Sequence, residues 1–111
     1  MILKAEVFDV TFEIKLKAGF FKTQTYYLTV EAEQIILTPL DDPETERQVI
    51  DKKELKSISI YSRNMTSGEL EIITHSNTYL GSISSSADLE ELTRCLALEF
   101  GDKFNFQHGN V

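Results

Sequence analysis

Polar and apolar positions alternate strictly near the start of this chain. Phe8, Val10, Phe12, Ile14 and Leu16 are apolar, and Asp9, Thr11, Glu13, Lys15 and Lys17 between them are polar. A period of two belongs to a half-buried strand, whose successive side chains point to opposite faces. Lys17-Ala18-Gly19 ends the pattern, with Gly19 able to take the positive φ of a turn. A second strand runs from about Thr23 to Val30, with Tyr26, Leu28 and Val30 on one face and Thr25, Tyr27 and Thr29 on the other. After the polar Glu31-Ala32-Glu33-Gln34, a third strand, Ile35-Ile36-Leu37-Thr38, stops at Pro39, which has no N–H for a ladder.

Four more short strands follow. Arg47 to Ile50 is one, and Leu55 anchors the turn after it. Ser57-Ile58-Ser59-Ile60-Tyr61 alternates again, and Asn64 to Gly68 carries turn residues. Leu70 and Ile72 mark a sixth strand. Tyr79 to Ile83 is a seventh, in which Gly81 predicts a bulge or a close backbone approach.

The period then changes. Ser85-Ser86-Ala87-Asp88 reads as a helix N-cap with a capping box. Leu89, Leu92, Leu96 and Phe100 recur at helical spacing on one face, and Gly101 is the expected C-cap. Seven short strands and one amphipathic helix predict a seven-stranded antiparallel sheet, curled into a partly open barrel and capped by the helix. The chain is read as one domain over residues 1–111, with 102–111 a tail, either mobile or laid across the sheet.

This layout resembles the pleckstrin-homology-like superfamily, in its small bacterial form, over about Glu6 to Phe100. Phe21-Lys22-Thr23-Gln24-Thr25-Tyr26-Tyr27-Leu28-Thr29-Val30 is similar to the family's aromatic second strand. Val49 to Ile58 is similar to its segment of two isoleucines about a polar turn, and Asn77-Thr78-Tyr79-Leu80 to its last strand before the C-terminal helix. Many members carry a tryptophan in that helix; here Cys95 or Leu96 occupies the region. The resemblance implies a mostly β binding module and places any phosphoinositide site at the first hairpin. Lys15, Lys17 and Lys22 then become candidate anion or lipid ligands, although Gln24 stands where the family's arginine would and removes a bidentate phosphate contact.

Composition narrows the function classes. The net charge is −7, which repels nucleic acid and anionic membranes unless a basic patch overrides the mean field. The lysine cluster is such a patch: no acid occurs between Glu13 and Glu31. The single cysteine, Cys95, fits a reducing, cytoplasmic compartment. No apolar run reaches the roughly 18 residues of a membrane span, and the start is not that of a signal peptide.

No enzyme chemistry emerges. There is no nucleophile elbow or glycine-rich phosphate loop, and Ser85 is explained as a cap. His75 and His108 lack partners at metal spacing, and the acidic loop from Asp41 to Glu46 lacks the ligand alternation of a calcium site. Neither a cofactor nor a metal is expected. Outward apolar side chains, Phe20 in the first hairpin, Ile36 and Ile73 on the polar sides of their strands, and Leu98 opposite Leu89 on the helix, are candidate protein contacts. The expected partner is a protein, a peptide or a second copy of the chain. Anionic lipid or phosphate is the alternative, and nucleic acid is not expected.

Overall fold

The computed structural model describes residues 10–17, 23–40, 46–62, 68–83 and 86–108. Eight strands form one curled, open sheet. They are β1 (Val10–Lys17), β2 (Thr23–Glu31), β3 (Gln34–Pro39), β4 (Gln48–Asp51), β5 (Leu55–Ser62), β6 (Gly68–Thr74), β7 (Thr78–Ile83) and β8 (Phe104–His108). One helix, α1 (Ser86–Phe100), and a 3-10 turn, Gly101–Lys103, lie between β7 and β8. The strand order is β4-β3-β2-β1-β7-β6-β5-β8.

The alternation in β1 does what its period dictates. Phe12, Ile14 and Leu16 are buried, and Thr11, Glu13, Lys15 and Lys17 are exposed. Leu28 and Val30 of β2, Ile35 and Leu37 of β3, and Ile58 and Ile60 of β5 fill the same core. Leu89, Leu92, Leu96 and Phe100 form the dry stripe of α1 that closes it. Gly101 follows the helix at φ 48°, a left-handed conformation suited to glycine. Phe8 and Ser85 lie outside the described residues.

One element exceeds the expected seven strands. Part of the 102–111 tail forms β8, which pairs with β5 in parallel from Ile58–Phe104 to Ser62–His108. Parallel strands need a long connection, and the chain from β6 through the helix supplies it. Phe104 packs against the core, while Phe106 stays exposed. Two apolar residues in five are too few to distinguish a strand from a loop by period alone.

Two polar tethers hold the end of the helix to the sheet. Glu33 in the β2–β3 turn, at φ 60°, donates its backbone N–H to Glu99 Oε1 at 3.1 Å. Beyond the helix, Lys103 Nζ donates to the carbonyls of Lys52 and Leu55 at 2.5 and 2.8 Å, joining the 3-10 turn to the chain between β4 and β5. The Lys103 tether seats the segment that enters β8.

Candidate functional site

A groove of about 400 Å³ opens where β1, β7 and β6 run side by side. It owes its position to Gly81. A Cβ there would lie 2.4 Å from the Lys15 carbonyl oxygen and 2.6 Å from Leu16 Cδ2, so only glycine lets β7 come this close to β1. Among the described residues the two strands pair at two positions, Lys15 with Ser82 and Leu16 with Gly81. The ladder continues on the far side: Ser82 stands opposite Glu69, and Glu69 opposite Tyr61. Leu80 stands opposite Glu71. Lys15, Ser82, Glu69 and Tyr61 therefore form one row across four strands, and all four line the groove.

Charge is divided across it. Lys15 and Lys17 form the β1 wall, with Thr23 beside Lys17 on β2. Glu69 and Glu71 form the β6 wall. Ser82 and Leu80 supply the β7 floor, and the Leu80 side chain is 43% exposed. Among the described residues none of these four charges is in an ion pair; the salt bridge present joins Arg94 to Glu91 on α1. That hydrogen bond lowers the Glu91 carboxyl below its ordinary range. Among the described residues no three His, Cys, Asp or Glu side chains are grouped to hold a metal ion. The Cys95 thiol is buried, and burial chiefly raises its pKa, with the Glu91 charge adding to the effect. A neutral buried thiol is a packing group, not a nucleophile.

The chain can be set beside known proteins at this point. No family model matches it, and no curated protein does. Solved structures do. It is similar to a chain in the structure of the Spt16D Pob3N heterodimer, with a TM-score of 0.63 and 11% identity over 96% of this chain and 57% of that one. It is also similar to the pleckstrin homology domain of USP37, with a TM-score of 0.56 and 16% identity over 88% of this chain and 99% of that one. The fold is pleckstrin-homology-like. The chain spans little more than half the length of the first of those neighbours.

On this fold the candidates read from sequence fare differently. Lys15 and Lys17 share one wall of the groove. Lys22 and Phe20 lie outside the described residues. Gln24 accepts a hydrogen bond from the Tyr26 hydroxyl at 3.4 Å. Ile36, expected outward and open, is covered, with only 8% exposure. Its neighbours across the ladder are Thr29 and Val49, and it stands apart from the central core cluster. Ile73 is half-buried. Three strands separate β3 from β6, so Ile36 and Ile73 are not neighbours in the sheet. Leu98 is 64% exposed, as its helical phase required.

Sequence reading missed the acidic wall. Glu69 and Glu71 were visible as the polar positions of an alternating strand, like Lys15 and Lys17 on theirs. Alternation places a residue on a face but does not say which strand lies alongside. The lysines looked like an isolated basic patch because their neighbours in space are more than 50 positions away in the chain.

Proposed function

We propose that this PH-like domain is a non-catalytic protein-contact module that holds a segment of a partner protein in the groove between β1 and β6. One observation carries the reading: a lysine wall faces a glutamate wall across a floor of Leu80 and Ser82. An anionic headgroup gains from Lys15 and Lys17 but meets Glu69 and Glu71 about 10 Å away, two strand spacings. Like charge at that range opposes binding, and a net charge of −7 adds to it. A protein segment carrying both signs meets no such penalty. A reducing, cytoplasmic setting suits the free thiol of Cys95.

The test is site-directed photocrosslinking. A photoreactive residue at Ser82 is compared with one at Leu98, and the products are identified by mass spectrometry. The reading expects a defined protein adduct at Ser82 that is lost when Lys15 and Lys17 are changed to Glu. In parallel, the domain is floated with vesicles containing phosphatidylserine at low salt. Flotation abolished by Lys15→Ala and Lys17→Ala, with no adduct at Ser82, overturns the reading in favour of an anionic-lipid site.

A further inference from the structure

The spacing of the two walls carries more information than their charge. Lys15 and Lys17 are two residues apart on one face of β1, and Glu69 and Glu71 are two apart on one face of β6. Two residues along a strand span about 7 Å. Only β7 stands between the walls in the sheet order, so they are about 10 Å apart. An extended polypeptide laid edge-on in the groove has a matching repeat. Its side chains at i and i+2 project to one wall about 7 Å apart, and those at i+1 and i+3 project to the other.

We propose that the groove recognises an extended protein segment of alternating acidic and basic residues, its acids toward Lys15 and Lys17 and its bases toward Glu69 and Glu71. The proposal rests on the protein-contact reading above and adds the partner's charge pattern. A uniformly acidic segment satisfies one wall and is repelled by the other, and a uniformly basic one reverses the problem. A second copy of the chain is a poor occupant, because it brings another −7 of charge to a concave surface. Leu80 on the floor and Tyr61 at the β5 rim give the segment apolar contact that does not depend on its charges. Partly solvated pairs of this kind fade as salt rises.

The decisive experiment is an NMR titration of the full chain at low salt. The probes are three short, end-blocked synthetic peptides: alternating Glu-Lys, all-Glu and all-Lys. The alternating peptide is expected to shift the amides of β1, β6 and β7. Each homopolymer is expected to bind more weakly by up to about five-fold for every pair lost. Reversing one wall, with Lys15→Glu and Lys17→Glu, should weaken binding of the alternating peptide by the same factor per pair lost. Reversing both, by adding Glu69→Lys and Glu71→Lys, should restore it, since an alternating peptide needs only a one-residue slip to match the inverted groove. Circular dichroism checks that each variant folds. Equal binding of the all-Glu peptide, or no rescue by the double reversal, overturns the alternation while leaving protein contact standing. If no peptide shifts the groove, the alternation falls and crosslinking at Ser82 decides the broader reading. Shifts produced by phosphatidylserine vesicles alone overturn both.

Discussion

Gly81→Ala should be the most damaging alanine substitution among the described glycines. The new Cβ would stand 2.6 Å from Leu16 Cδ2 and 2.4 Å from the Lys15 carbonyl oxygen. Carbon atoms pack best at about 3.5–4.0 Å, so the Leu16 contact is violated by about 1 Å. The contact that cannot yield is the Lys15 carbonyl, because a backbone carbonyl cannot move without its strand; at Gly68 the nearest carbonyl, that of Tyr61, stands off at 3.3 Å. Overpacking of this kind costs about 1–3 kcal/mol. Separating β1 from β7 also disturbs their pairing, at about 1 kcal/mol per hydrogen bond. The expected loss is about 3 kcal/mol.

Two other glycines act as internal controls. At Gly101 nothing lies within 4 Å of an added Cβ, and the strain is that of φ 48° alone, about 1–2 kcal/mol. At Gly68 the tightest contact is the Leu89 Cδ1 methyl at 2.9 Å, the mobile end of a side chain, so alanine there should stay within about 1 kcal/mol of neutral. Urea unfolding followed by circular dichroism gives the ranking. With a slope near 2 kcal/mol/M, Gly81→Ala should lower the midpoint by about 1.5 M. A Gly81→Ala midpoint at or above that of Gly68→Ala would refute the account of why β7 lies against β1.

Removing the Lys103 ammonium with Lys103→Met keeps the aliphatic stem but takes a charged donor from both the Lys52 and Leu55 carbonyls, at a cost of about 2 kcal/mol. Hydrogen exchange should quicken in β8 more than in β1, and unchanged protection of residues 104–108 would count against the tether. Cys95 has its pKa raised by burial, so the folded state favours the neutral thiol. That contribution is intact below the thiol's ordinary pKa and is lost as pH rises through the raised folded value, so stability should decline on the alkaline side. Cys95→Ser, compared with the parent in urea melts across that range, should flatten the decline; an unaltered alkaline limb contradicts it. Thiol-reagent labelling in native buffer should track global unfolding.

Local chemistry alone determined a good deal here. Alternation assigned Phe12, Ile14 and Leu16 to the core and Lys15 and Lys17 to the surface. Helical spacing assigned Leu89, Leu92, Leu96 and Phe100 to one buried stripe, leaving Leu98 on the opposite side, and the lone Gly in the seventh strand announced a close backbone approach. Each is a property of a few consecutive residues, because the periods of strand and helix are set by backbone geometry. Tertiary structure decided everything that depends on which elements meet. It laid Phe104–His108 beside β5, covered Ile36, kept Ile36 and Ile73 three strands apart, and brought Glu69 and Glu71 across β7 from the lysines. Strands distant in sequence pair only when the whole sheet curls about one core. A charge is legible in the chain, but the charge that faces it is set by that packing.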